Sequence, residues 1–255
     1  MPPQDASKAV DAVTRVLGVV GIVRKLERLV PDRTPVYMRH LYRLHEARYR
    51  FARDAVASKR VLDVACGVGY GTALLADGGA STVLGVDVSR EAISYARSRY
   101  MRVNAHYVVA DAAALGVADG SVDVVVSFET IEHLQPDRIG PFLQELKRVL
   151  KPGGTAFIST PNGDASYKLG AYHTVEFSFD EFRSLLGRYF PRVTFYGQRT
   201  IPRWYSTLAG KARRVPFAWS LDAIVRVALF TSERMEPLPI RDAVPMFFVA
   251  QCACE

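Results

Sequence analysis

A chain of 255 residues with 49% hydrophobic residues is long enough and apolar enough for one large domain, or a domain with a cap. Its net charge of +7 permits an anionic partner without demanding one. Three cysteines, Cys66, Cys252 and Cys254, form no C-x-x-C and no paired framework, which excludes a disulfide scaffold and fits a reducing compartment. The start, MPPQDASKAVD, has no early basic cluster, and the apolar run from Val16 to Val23 is too short to span a bilayer. The expectation is a soluble, cytoplasmic chain with no transmembrane segment.

Residues 6–30 have a helical period, with Val13, Leu17 and Val20 on one face and Lys8, Asp11, Arg15, Arg24 and Arg28 outside it. Two readings stand for this stretch. It packs on its own domain or on a second copy in a homodimer, or it lies as a basic amphipathic helix on a membrane surface. Pro31 and Pro35 end it. A second helix is expected over 36–57, and it sets His40, His45, Arg48, Tyr49 and Arg50 just ahead of the first strand.

Val61, Leu62, Val64 and Ala65 form the short apolar run of a buried parallel strand. Gly67, Gly69 and Gly71 follow, at positions where a backbone needs positive φ or must admit a ligand. Helical spacing resumes from Tyr70 to Ala76, and a helix start after a strand offers free N–H groups to an electron-rich ligand. The spacing is not the dinucleotide fingerprint G-x-G-x-x-G, because position 72 is Thr. Strands are expected at 82–86, ending at Asp87, at 105–109, ending near Asp111, at 122–127 and at 155–160. Helices are expected at 89–100, capped by Ser89, and at 141–150, stopped by Lys151-Pro-Gly-Gly. This rhythm predicts an α/β fold, a doubly wound Rossmann-like parallel sheet with helices on both faces. A helix over 178–188 and strands over 192–198 and 246–252 complete it, with Cys252 and Cys254 on one face. Residues 199–245, with Trp204, Tyr205, Trp219, arginines and prolines, are long for a hairpin and read as a substrate cap with helix at 220–229.

The pattern V-L-D-x-x-C-G-x-G from Val61 resembles motif I of the class I S-adenosylmethionine (SAM) methyltransferases. VDVVVSFETIEHL (122–134) is similar to motif IV, and ELKRVLKPGGTAFISTPN (145–162) to the helix, turn and strand that follow it. H-x-x-R-Y-x-F-A (45–52) and Y-H-x-x-E-F-S-x-D-E-F (172–182) are similar to small-molecule and saccharide-directed methyltransferases of bacteria. The likeness covers residues 45–190. It implies a seven-stranded sheet whose last strand is antiparallel. It divides the chain into an N-terminal helical segment (1–57), a SAM-binding core (58–198 with 246–255) and a cap (199–245).

The resemblance implies SAM as cofactor. Asp63, Ala65, Gly67 and Gly69 would pass along its methionyl part. Asp87, twenty residues after Gly67, would accept from the ribose hydroxyls, with Val88 beside it. Asp111 would accept from the adenine amino group and the Ala112 N–H would face a ring nitrogen. Ser127 joins this set, and Tyr49 or an arginine of the preceding helix would meet the methionyl carboxylate.

Glu129, Glu132 and His133 follow strand four, at the carboxyl edge where ligands bind. On a helix they would stand at i, i+3 and i+4 and share a face. Two carboxylates and an imidazole suit Mg2+ or Mn2+ better than structural zinc, and His173 offers a fourth ligand from the loop after strand five. E-x-x-E-H with a later His resembles the metal site of small-RNA 2′-O-methyltransferases and of some quinone-biosynthesis O-methyltransferases. The other reading has no metal: His133 is a general base, Glu132 caps a turn, and Glu176 is an ordinary exposed residue.

These residues point to a SAM-dependent O-methyltransferase acting on a hydroxyl of a small polyhydroxylated acceptor, a sugar or short saccharide. His133 is base or ligand, and Glu129 and Glu132 are ligands or orienters. RNA 2′-O-methylation is an alternative, supported by the metal-like constellation and disfavoured by the lack of an RNA-binding module or long basic tail. A quinone or natural-product phenol acceptor, and a SAM-binding protein without catalysis, also stand.

Overall fold

A computed structural model describes residues 39–165, 173–202, 234–238 and 243–254. The helix expected over 6–30, the three aromatic residues of the cap and the helix at 220–229 lie outside the described residues. In chain order the elements are α1 (Arg39–Arg53), β1 (Arg60–Val64), α2 (Tyr70–Asp77), β2 (Thr82–Asp87), α3 (Arg90–Arg99), β3 (Ala105–Val109) and β4 (Val122–Phe128). There follow α4 (Pro136–Val149), β5 (Leu150–Pro161), α5 (Phe179–Gly187), β6 (Arg192–Pro202), β7 (Met235–Pro237) and β8 (Ala243–Ala253).

The period-two pattern explains why the strands form one sheet with two buried faces. Val61 joins the core on one side of β1, while Leu62 and Val64 join the core on the other. In β4, Val124, Val126 and Phe128 face the first core and Val125 the second. Tyr49 and Ala52 of α1, Leu75 of α2 and Ile93 and Ala96 of α3 cover the first face. Phe142, Leu143 and Leu146 of α4 and Phe182 and Leu186 of α5 cover the second. A sheet buried on both sides needs near-continuous apolar strands, and β1, β2 and β4 have them, while the edge strand β3 is exposed on one face.

The strand order is β3-β2-β1-β4-β5-β8-β6-β7. β1 pairs parallel with β2 and β4, β2 with β3, and β4 with β5, whereas β8 runs antiparallel between β5 and β6. The expected arrangement is present with one addition: the short β7 pairs Met235, Glu236 and Pro237 with Gln198, Gly197 and Tyr196 of β6.

Three boundaries differ from expectation. α4 begins at Pro136, not near 141, because a proline at the first helical position gives up an N–H that has no partner there anyway. The Lys151-Pro-Gly-Gly turn lies inside β5 as an irregularity: pairing jumps from Val122–Leu150 to Val124–Thr155, with Gly153 at φ +75. The pairs Thr200–Pro245, Ile201–Val244 and Pro202–Ala243 extend the β6–β8 ladder, so the interval read as a cap shortens to residues between Pro202 and Ala243. Cys252 and Cys254 are both buried and unpaired. No helix among the described residues is long and apolar enough to cross a membrane. The carboxyl ends of β1 to β5 lie along one edge, which brings Ala65, Asp87, Asp111, Glu129 and the loop to His173 to the same side of the sheet.

Candidate active site at the carboxyl edge of the sheet

The turn after β1 is built by backbone conformation. Ala65, Gly67 and Gly69 have φ of +60, +55 and +90. Left-handed residues alternating along a turn direct successive N–H groups into one concavity. Gly69 also has no room for a side chain: a Cβ would lie 2.5 Å from the Ala96 Cβ and 2.8 Å from the Tyr107 ring. Gly71 is required for a different reason. Its Cβ would fall 2.0 Å from Cζ of Tyr49, so the glycine lets that ring lie on α2.

Asp87 joins the first two loops. Its Oδ2 accepts from the Gly67 N–H and its Oδ1 from the Ser89 N–H, both at 2.9 Å, and Val88 beside it is 70% exposed. Asp111 accepts from the Ala113 N–H at 2.8 Å and pairs with Arg138, and these contacts, the Ala113 bond first, hold its carboxyl below the usual carboxylate range. Ala112 is half-buried between these groups.

Two residues expected at the cofactor are buried against their own fold. Tyr49 is buried and its hydroxyl donates to Asp63 Oδ1 at 3.0 Å. Ser127 is fully buried and donates to the Val64 carbonyl at 3.1 Å, where it braces β4 to β1. Asp63 itself is fully buried and accepts a second bond from Thr72 Oγ1 at 2.6 Å; it holds the turn from below.

Burial pushes the Asp63 pKa up to about 7, against the opposing pull of the Thr72 and Tyr49 hydrogen bonds. A carboxyl raised from 3.8 contributes stability that is present at low pH and is lost as pH rises toward about 7. Asp63→Asn should therefore flatten the fall in unfolding free energy between about pH 5 and 7, measured by urea denaturation across that range. An unchanged slope in the variant would assign the pH dependence elsewhere.

α1 covers the turn. His45 Nδ1 lies 2.7 Å from the Tyr70 hydroxyl, and Tyr42 and Phe128 pack edge to face against Tyr70 and Tyr49. Burial, with the Arg48 charge, pulls the His45 pKa down to about 3 and keeps the ring neutral.

The expected helix bearing Glu129, Glu132 and His133 is not formed. Ile131–His133 make a single 3-10 turn, and Glu129 precedes it at φ +52. The Glu129 carboxylate has partners of its own: Oε1 accepts from Ser159 Oγ at 2.8 Å and lies 3.1 Å from Arg48 Nη1. Among the described residues, Glu132, His133 and His173 each offer one ligand atom, all within 4.8 Å of one another. The four-residue group of the sequence reading thus becomes a group of three.

Glu132 is fully buried, and neither carboxylate oxygen has a hydrogen-bond partner. Burial, then the neighbouring Glu129, pushes its carboxyl well above the usual carboxylate range. His133 Nε2 is 3.9 Å from Glu132 Oε1, and the His133 and His173 rings stand 5.0 Å apart. The segment carrying His173 is fastened to this turn, since the Thr174 and Val175 N–H groups donate to the Glu132 carbonyl at 2.8 and 3.3 Å. Glu176, read from sequence as an ordinary exposed residue, instead meets His173 Nδ1 at 3.3 Å. A cavity of about 310 Å³ opens beside it, lined by Asp164, His173, Glu176 and Ser178 among others. Glu176 lies in the Y-H-x-x-E-F pattern and Arg48 in H-x-x-R-Y, and only the fold shows what they touch.

Residues 61–154 match the family model described as a methyltransferase domain. A probable SAM-dependent methyltransferase of Mycobacterium tuberculosis is 35% identical over 189 residues, covering 72% of this chain and 64% of that protein. The chain belongs to the class I SAM-dependent methyltransferase family. A second such relative, from Mycolicibacterium smegmatis, is 38% identical over 150 residues, covering 57% of this chain and 56% of that protein. The chain thus matches less than two-thirds of the length of these relatives. A solved Thermotoga maritima SAM-dependent methyltransferase, described as a possible histamine N-methyltransferase, superposes with a TM-score of 0.60 at 16% identity. That superposition covers 86% of this chain and 93% of the other, and it supports the fold.

The family implies SAM, and the turn has the shape for it. Gly67 leaves open space, with nothing within 4 Å of the place a Cβ would occupy, and the turn around it is left-handed at Ala65, Gly67 and Gly69. Asp87 and Asp111 follow at the next two strand ends of the same edge.

Proposed function

We propose that this family member transfers the methyl group of SAM to a hydroxyl oxygen of a small polyhydroxylated acceptor, a sugar or short saccharide. The observation that supports this reading is the Glu132 carboxylate, buried without a hydrogen-bond partner and grouped with two imidazoles. A buried carboxylate in that state needs a proton, a cation or an acceptor hydroxyl to complete it.

SAM, when bound, supplies an electrophilic methyl group. Ala65, Gly67 and Gly69 would hold its methionyl part, Asp87 the ribose hydroxyls, and Asp111 with the Ala112 N–H the adenine. A sugar hydroxyl is a weak acid, so the protein must take its proton as the oxygen attacks. His133, the most exposed of the three, would accept that proton at a ring nitrogen, and Glu132 would orient the acceptor. With one carboxylate and two imidazoles, the same three side chains suit a transition ion such as Mn2+ better than Mg2+, and such an ion would supply charge that lowers the hydroxyl pKa. The runner-up acceptors are lipids and phenols, since shorter-matching relatives are named for a fatty acid and for a hydroquinone.

The test is SAM turnover with neutral sugars, short saccharides, a hydroquinone, a fatty acid and RNA 3′ ends, each with Mg2+, Mn2+ or EDTA. A saccharide is expected to react, with EDTA lowering the rate about 10-fold or more. Indifference to EDTA removes the cation and leaves His133 as a simple base. Preference for another acceptor class overturns the saccharide reading.

A further inference from the structure

The E-x-x-E-H pattern would suggest two glutamates with one job. Their surroundings differ too much for that. Glu132 is grouped with the two histidines, whereas the nearby Glu129 carboxylate is taken up by Arg48 and Ser159. Arg48 is 2% exposed, which is exceptional for an arginine, and three parts of the chain meet its guanidinium. Nε donates to Gln198 Oε1 of β6 at 2.8 Å, Nη1 lies 3.1 Å from Glu129 after β4, and Cζ stands 4.4 Å over the Phe247 ring of β8. Gln198 continues the link, since its Nε2 donates to the Leu44 carbonyl of α1 at 2.9 Å.

We infer that Arg48 is a positioning residue that withdraws Glu129 from the acceptor group and uses it to anchor α1. The acceptor side then works with Glu132, His133 and His173. The positive φ of Glu129 serves this arrangement: a right-handed residue there would continue the chain in another direction. A buried guanidinium keeps its place only while its charge is matched, so Glu129 and Arg48 depend on each other. The anchor also has a functional reach. α1 carries His45 and Tyr49 over the glycine turn, so the Arg48–Glu129 pair ties the cofactor side to the acceptor side.

The test uses the full chain and manganese alone, followed by the loss of the free-ion signal in electron paramagnetic resonance, together with thermal unfolding. Its metal arm rests on the proposed acceptor-side reading; the unfolding arm does not. E129Q is expected to keep manganese affinity within about twofold of the unaltered chain, while E132Q weakens it about 10-fold or more. E129Q and R48M should each lower the unfolding midpoint, and R48M/E129Q should lower it by less than the two shifts together, because no charge is then left unmatched. R48K, which keeps the charge without the planar fork, should recover part of the loss even if R48M fails to fold. Weakening of manganese by E129Q equal to that by E132Q overturns the inference, as does strict additivity of the pair. If the unaltered chain binds no manganese, the cation reading fails, and the unfolding comparison decides the role of Arg48.

Discussion

Turnover in Glu132→Gln is expected to fall by about 100- to 10,000-fold, the range set by removing a group that assists proton transfer. The unfolding midpoint at pH 8 is expected not to fall. The physical basis is the burial of the Glu132 carboxylate without a hydrogen-bond partner, beside the second acid Glu129. An ionised carboxylate in that setting opposes folding, and a neutral amide of the same shape removes the charge. Loss of activity with retained stability is the signature of a residue kept for function. His133→Ala should show the same fall in turnover with little change in stability, because its side chain is 36% exposed. Activity within about tenfold of the unaltered chain in both variants would place the chemistry elsewhere. A collapsed midpoint in Glu132→Gln would make that residue structural.

The second large effect falls on the glycine turn after β1. Gly69→Ala is expected to destabilise the fold by about 3 kcal/mol, combining a left-handed backbone penalty with overpacking. Both terms are visible in the structure: φ is +90, and the added Cβ would meet Ala96 at 2.5 Å and Tyr107 at 2.8 Å. Gly79→Ala is the control. It has φ +86 and nothing within 4 Å, so it should lose only the backbone part, about 1 kcal/mol. Urea denaturation of the two variants separates the terms. SAM titration should show binding lost in Gly69→Ala and kept in Gly79→Ala. Equal destabilisation of both would remove the packing argument, and SAM binding retained by Gly69→Ala would remove the turn from the cofactor site.

The same division separates what was legible in the sequence from what was not. β1, β2, β4 and β5 read directly because both faces of the sheet are buried there, which leaves nearly continuous apolar runs between glycine and proline signals, while β3 buries only the face of Ala105 and Tyr107. Asp87 and Asp111 were legible for a related reason, since each marks the end of a strand. β7 was hidden because three residues carry no period. Pro141 hid the first turn of α4, which begins five positions earlier at Pro136.

The side-chain roles were harder. Spacing places Glu129, Glu132 and His133 on one face only if the backbone is helical, and Glu129 at φ +52 is not. Tyr49 and Ser127 had the right chemistry to hold a cofactor, but α1 and β4 turn both hydroxyls inward, onto Asp63 and the Val64 carbonyl. By itself the sequence determined the order of strands and helices, the glycine turn, the acids at the strand ends and the family, because these depend on local propensity and pattern. Only the tertiary structure decided which carboxylate joins the histidines and which pairs with Arg48. Those choices depend on residues 81 apart for Arg48 and Glu129 and 150 apart for Arg48 and Gln198, and burial, which no local pattern encodes, sets their charge.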